Sequence, residues 1–302
     1  MMANDAPQAV LLTLLVCTLG RVKPLERLLQ SLNAQTLKNF EVVIVDQNAE
    51  GFLDSTIRKF PALRINHLHT RPGLSHARNV GLAASSGRYI GFPDDDVWYR
   101  PSVVEEVLDI FRRNSKLNII TGRSVDPQGR GVTVTLPGEA LITRENIFEA
   151  GNSNTIFIER MLAQSLNFDE GLGLGAASEF QSGEETDFLL RALGKGAAGW
   201  YFPELTIFHD PIDNGTPLTE RARRTNAYAR GFGYLIRKYH YPPSYILGKI
   251  GKTALRGALC LAIGDFAGAR LRLAWANGVL YGYSRGNPKL SIAVERAHAK
   301  KQ

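Results

Sequence analysis

The chain has 302 residues, of which 44% are hydrophobic and 22% charged, so it can bury a full core and hold one large domain or a domain with an appendage. Its two cysteines, Cys17 and Cys260, lie far apart in apolar surroundings and match neither a zinc spacing nor a disulfide framework, as expected of buried thiols in a reducing compartment. The formal net charge is +7, with Lys and Arg enriched after Arg221, which implies attraction to polyanions.

The first eight residues are polar, and the apolar run after them is short, without the basic flank or cleavage site of a secretory signal. Lys249, Lys252, Arg256, Asp265, Arg270 and Arg272 interrupt the C-terminal apolar region before it reaches the roughly 18 residues needed to span a bilayer. The expectation is a cytoplasmic protein, soluble or peripheral at the inner face of the membrane.

Residues 9–16 form a continuous run of leucines and β-branched residues, as in a strand covered on both faces, and residues 42–45 repeat the pattern. Between them Leu25, Leu28, Leu29 and Leu32 recur at helical spacing, which makes a β-α-β unit. A strand over 63–67, a helix over 75–85 and a strand over 88–92 follow, the last running into Pro93 and three aspartates. Next come a helix over 101–113, strand-like pieces at 118–121, 131–136 and 154–158, and a glycine cluster at Gly171, Gly173 and Gly175 that predicts a mobile loop. Residues 183–193 return to helical spacing, and 205–208 read as a strand. The predicted fold is α/β, a mostly parallel central sheet with helices on both faces. After Phe208 the chain turns basic and aromatic, with amphipathic helices over 246–256 and 258–275. The predicted division is a catalytic domain over 1–217 and a helical extension over 218–302.

In such sheets ligands bind beyond the carboxyl ends of the strands, where Asp46 and the run Asp94-Asp95-Asp96 both fall. Adjacent carboxylates repel one another unless a cation sits among them, and hard oxygen ligands suit Mg²⁺ or Mn²⁺. In an extended segment Asp94 and Asp96 would share one side. Arg71 and Arg78 precede the aspartates closely enough to reach phosphates. In Gly183-Glu184-Glu185-Thr186-Asp187-Phe188, Glu185 and Asp187 cannot share a helical face, so at most one serves as a general base. His209 closes the last strand and is a candidate ligand.

Taken in order, Val42-Val43-Ile44-Val45-Asp46, Arg71-Pro72-Gly73-Leu74-Ser75-His76-Ala77-Arg78-Asn79-Val80-Gly81, Tyr89-Ile90-Gly91-Phe92-Pro93-Asp94-Asp95-Asp96 and the Gly183 to Phe188 hexapeptide resemble glycosyltransferase family 2 over residues 9–210. The resemblance implies a GT-A fold, an inverting mechanism, a nucleoside-diphosphate sugar donor and a divalent cation, Mn²⁺ or Mg²⁺. It implies Thr18 and Asp46 at the donor's base, Asp94 near the ribose, Asp96 on the metal with His209 as a further ligand, and Glu185 as catalytic base. Asp95 joins the nucleotide-sugar wall without an individual role. The acceptor would be a saccharide or lipid-linked saccharide in cell-surface or extracellular polysaccharide or glycolipid synthesis, and the basic C-terminal helices suit an anionic membrane surface. Two other classes compete. A nucleotidyltransferase uses similar acidic ligands but needs a fuller phosphate loop than Thr18-Leu19-Gly20-Arg21, and a nucleic-acid-binding reading explains none of the acidic residues.

Overall fold

A computed structural model describes residues 10–211 and 215–286. The chain divides into two units, one formed by Met1–Asp169 with Glu185–Ile212, the other by Glu170–Glu184 with Asp213–Gln302.

The strands of the first unit, in chain order, are β1 (Leu12–Thr18), β2 (Phe40–Asp46), β3 (Ile65–His69), β4 (Tyr89–Gly91), β5 (Val97–Trp98), β6 (Ile119–Val125), β7 (Ala140–Leu141), β8 (Phe157–Glu159) and β9 (Gly199–His209). They form one sheet in the order β3-β2-β1-β4-β8-β6-β9-β5, with β7 also on β9. β3, β2, β1 and β4 are parallel, so their carboxyl ends share one edge, while β8 runs antiparallel to both β4 and β6. β2 is buried along its whole length and β1 nearly so, which is why both read as unbroken apolar runs.

Helix α1 (Val22–Asn33) buries Leu25, Leu28, Leu29 and Leu32 completely, the stripe its spacing predicts. Helices α2 (Leu74–Ala84) and α3 (Val103–Arg113) follow β3 and β5, and α4 (Glu184–Gly194) precedes β9. Val103, Val104, Val107 and Phe111 of α3 join the leucines of α1 in one hydrophobic cluster.

Several boundaries differ from expectation. The third strand is displaced to Ile65–His69, and the last begins at Gly199 rather than near 205. No strand forms over 131–136, where Gly131 alone bridges Val125. Just before it the Asp126 carboxylate accepts from the amides of Gln128 and Arg130, both at 2.9 Å, and closes a tight turn. Beyond it Val134 is 81% exposed, so its apolar neighbours signal no buried strand.

The second unit holds α5 (Leu218–Lys238), α6 (Pro243–Ala262) and α7 (Phe266–Arg285). α5 and α7 touch backbone to backbone: a Cβ added to Gly233 would lie 2.1 Å from the Val279 carbonyl oxygen, and one on Gly282 would lie 2.0 Å from that of Arg230. Gly257, between the two predicted C-terminal helices, lies inside α6; the break falls at Gly264, with φ +76°, and Asp265 caps α7 through the Gly268 amide. No described helix is long and apolar enough to cross a membrane.

The glycine-rich segment expected to be mobile is tied down within this unit. The Gly173 amide donates to the Phe180 carbonyl and the Gly175 amide to Gln181 Oε1, each at 3.0 Å, while Ser178 Oγ donates to the Gly171 carbonyl; Phe180 in turn stacks on Tyr234 at 4.3 Å. Glycine supplies left-handed backbone there, at Gly173 and Gly175, rather than looseness alone.

Candidate active site

The parallel strands end in a row. Thr18 is in register with Asp46, and Asp46 with His69, so three side chains from three strands reach the same sheet edge. β4 delivers the chain to the same edge, where residues 94–96 follow its end.

The acidic run is turned, not extended. Residues 95 and 96 form a turn in which the Val97 amide reaches back to the Asp94 carbonyl, so the alternation of an extended strand does not apply. Asp94 and Asp96 therefore have different surroundings. Asp94 accepts from Ser153 Oγ at 3.3 Å, with the buried Arg78 guanidinium at 3.7 Å. Asp95 and Asp96 instead share Arg21: its Nη1 lies 3.1 Å from Asp95 Oδ1 and also bonds Asp96 Oδ2.

His209 arrives by strand pairing. β5 lies antiparallel to β9 with Val97 opposite His209, which places the imidazole Nε2 3.5 Å from Asp96 Oδ1. Arg27 steadies both neighbours, donating to the Asp96 carbonyl at 3.0 Å and pairing with Asp210 at 2.8 Å while its guanidinium lies 3.9 Å over Trp98.

These contacts separate the titration of the aspartates. Burial pushes Asp95 up to about 6, against the opposing pull of the Thr18 hydroxyl and Arg21. Burial would raise Asp96 too, but the hydrogen bond from His209 and the charge of Arg21 outweigh it and hold the carboxyl at about 2. His209 is raised in turn, first by its hydrogen bond to Asp96. Two carboxylates beside an imidazole offer oxygen and nitrogen donors of the kind that hold a divalent cation, and in this structure the Arg21 guanidinium supplies the positive charge between them.

Asp46 is fully buried. Its Oδ1 accepts from the Asn48 amide at 2.8 Å and from Asn48 Nδ2 at 2.7 Å, an Asx-turn whose Asn48 Oδ1 in turn accepts from the Gly20 amide. Oδ2 faces His67 Nε2 at 3.1 Å and His69 Nδ1 at 3.8 Å. Sequence reasoning missed these histidines. The signal available was their spacing of two in a strand entering the binding edge, hidden because the strand was placed two residues early.

Arg71 is exposed on the loop after β3, whereas Arg78 is buried in α2 with its guanidinium 5.1 Å from the Phe168 ring centroid. In α4, Asp187 is fully buried and accepts from Arg191 Nε at 2.8 Å; the same guanidinium donates to the carbonyls of Leu166 and Asn167, each at 2.7 Å. That leaves Asp187 a structural anchor. Glu185 is the partly exposed acid of this helix.

A mostly parallel sheet with carboxylates gathered at the strand ends, followed by a carboxylate-bearing helix and a histidine-terminated strand, defines a GT-A type α/β protein. Two solved structures share the fold: a mannosyltransferase PcManGT from Pyrobaculum calidifontis in complex with GDP-Man and Mn²⁺, at 16% identity and TM-score 0.57 over 95% of this chain and 79% of that one, and S. aureus TarS 1-349 in complex with UDP-GlcNAc, at 17% identity and TM-score 0.57 over 95% and 92%. The Glycosyl transferase family 2 profile matches residues 13–168, and the chain belongs to that family. Among relatives, an uncharacterized glycosyltransferase of Haemophilus influenzae is 33% identical over 187 residues, covering 61% of this chain and 62% of the relative's length. Chondroitin synthase of Escherichia coli is 32% identical over 115 residues, which are 35% of this chain and 16% of that one.

Proposed function

We propose that this chain transfers a sugar from a nucleoside-diphosphate sugar to an acceptor hydroxyl with inversion, within the assembly of a polysaccharide or glycolipid. The observation that carries this reading is the Asp95–Asp96 pair sharing one cationic group beside His209 at the carboxyl edge of the sheet. In the proposal Thr18 and Asp46 take the nucleobase, Asp94 and Asp95 line the ribose and diphosphate side, and Arg71 and Arg78 add positive charge toward the phosphates.

Asp96 and His209 would hold Mn²⁺ or Mg²⁺, an ion that when bound offsets charge on the diphosphate leaving group. The ion's carboxylate ligand is ionised throughout the neutral range, because His209 and Arg21 keep Asp96 near 2. Glu185 accepts the proton of the acceptor hydroxyl as that oxygen attacks the anomeric carbon and the bond to the diphosphate breaks, and one displacement inverts the centre. Support for a nucleotide-sugar donor comes from the complexes of the two structural neighbours, and support for polysaccharide synthesis from relatives such as chondroitin synthase.

The helices of the second unit suit a lipid-linked acceptor at an anionic membrane surface on the cytoplasmic side. Ile263 and Phe266, at the turn between α6 and α7, are 79% and 72% exposed, with Leu259 and Leu261 exposed beside them on α6. Lys252, Arg256, Arg270 and Arg272 lie on the same two helices, the combination of apolar insertion and basic attraction that peripheral anchors use.

Thermal melts with each nucleoside diphosphate, with and without Mn²⁺, test the donor reading: one nucleotide should stabilise the protein in a metal-dependent manner, and folded Asp96→Ala should lose the metal dependence. No response to any nucleotide would overturn it.

A further inference from the structure

We propose that Asp46, His67 and His69 form a second cation site, suited to a transition-metal ion such as Zn²⁺, and that this ion and the donor's base compete for Asp46. The competition rests on the base-binding role proposed for Asp46; the site itself rests on geometry alone.

Among the described residues, these three are brought together with their donor atoms all within 4.8 Å of one another. The strands explain why. His67 and His69 stand two apart in β3 and so share one face of the sheet, while the register sets Asp46 of β2 directly opposite His69. Zinc bonds to imidazole nitrogen and carboxylate oxygen are about 2.0–2.1 Å, which separates ligands on a tetrahedron by roughly 3.3 Å. The two separations from Asp46 Oδ2, 3.1 Å to His67 and 3.8 Å to His69, bracket that spacing. The imidazoles stand 4.6 Å apart between centroids and are inclined at 50°, with their donor nitrogens within 4.8 Å of each other. His69, with its side chain 38% exposed, is the ligand with room to adjust.

The carboxylate is held for this task. Asn48 donates twice to Oδ1, fixing the plane of the group and leaving Oδ2 turned toward the histidines, as outer hydrogen bonds orient metal ligands. Two imidazoles and one carboxylate favour zinc, cobalt or nickel over magnesium and calcium, whereas the aspartates near Arg21 favour hard ions. The two sites are therefore chemically distinct. With Oδ1 committed to Asn48, Oδ2 is the oxygen of Asp46 left for a base N–H. An ion on Oδ2 excludes the base, and a bound base excludes the ion.

Titration of the chelator-treated full chain with Co²⁺ alone, read by visible ligand-field absorption, tests the site, with Zn²⁺ displacing the signal. One ion per chain should give the band, and Asp96→Ala should retain it. His69→Ala and His67→Ala should each weaken binding by at least about tenfold. His69→Ala is decisive if His67→Ala does not fold, because His69 is the more exposed ring. A band that survives His69→Ala in folded protein, or that disappears in Asp96→Ala, would overturn the site. Saturating the protein with whichever nucleoside diphosphate stabilises it, in the presence of Mn²⁺ and with Co²⁺ titrated at matched free concentration, should weaken Co²⁺ binding at this site by about tenfold or more, and unchanged binding would overturn the exclusion. If no nucleotide stabilises the protein, the donor reading fails, while the His69-dependent band still decides the metal site.

Discussion

Arg21 follows Gly20, which has φ +73°, and so leaves β1 at an angle that returns its guanidinium to Asp95 and Asp96. A divalent ion binding Asp96 must compete with that charge. Arg21→Ala should therefore tighten Mn²⁺ binding to the nucleotide-free protein by about tenfold, or ~1.4 kcal/mol, measured by the paramagnetic resonance of unbound Mn²⁺. Unchanged affinity would mean that the guanidinium leaves the carboxylates at no cost. Asp187 offers a contrasting test in which a carboxylate serves structure. Asp187→Ala strands the Arg191 guanidinium between two carbonyls and should cost about 3 kcal/mol of stability by denaturant unfolding. Glu185→Gln keeps the size and shape of the side chain and should change stability by less than about 1 kcal/mol while abolishing transfer. The resemblance singled out Glu185, but only burial and the Arg191 contact show that Asp187 is otherwise engaged.

Among elements, the α6–α7 hairpin carries its own prediction. Replacing Ile263 and Phe266 by aspartate should abolish flotation with anionic vesicles while leaving the thermal melt unchanged, because both side chains are exposed. Retained flotation would assign the basic helices to another partner. The amphipathic character of this region was readable from spacing, yet the helix break was not. The expected helices part at residue 257, but the glycine there stays inside a helix, at a cost of only about 1 kcal/mol. Gly264 with left-handed backbone and the Asp265 cap end the pattern instead. β5 was invisible for a different reason. Two residues carry no periodicity, and Val97-Trp98 becomes a strand only because β9 lies beside it.

Across the whole molecule, stability without metal should depend on pH in a defined direction. His209 is raised above its ordinary value of 6.5, so its contribution is fully present below that value and is lost as pH rises through the higher folded one. Asp95, raised from 3.8 to about 6, acts with the same sign over its own lower range. Asp96 acts on the acid side, and its contribution disappears as pH falls from 3.8 toward about 2. Thermal melts of the metal-free protein should therefore decline as pH rises from 3.8 to about 6, where Asp95 ionises, and again above 6.5 as His209 deprotonates, and the stabilisation by Mn²⁺ should widen over the same interval. A melting temperature that rises over that interval would contradict the Asp96–His209 pairing.

What the sequence determined by itself was local or periodic: the buried strands β1 and β2, the leucine stripe of α1, the acidic run after β4, and the family motifs. Tertiary structure decided which of these side chains meet. It paired Asp95 with Asp96 on Arg21 because the run turns, brought His209 to Asp96 because β5 and β9 run antiparallel, and set two histidines on Asp46 through the β2–β3 register. Each of these is a contact between residues 21 to 113 positions apart in the chain, from Asp46 with His67 to Asp96 with His209. Spacing along one segment carries no information about such distances; strand order and register do.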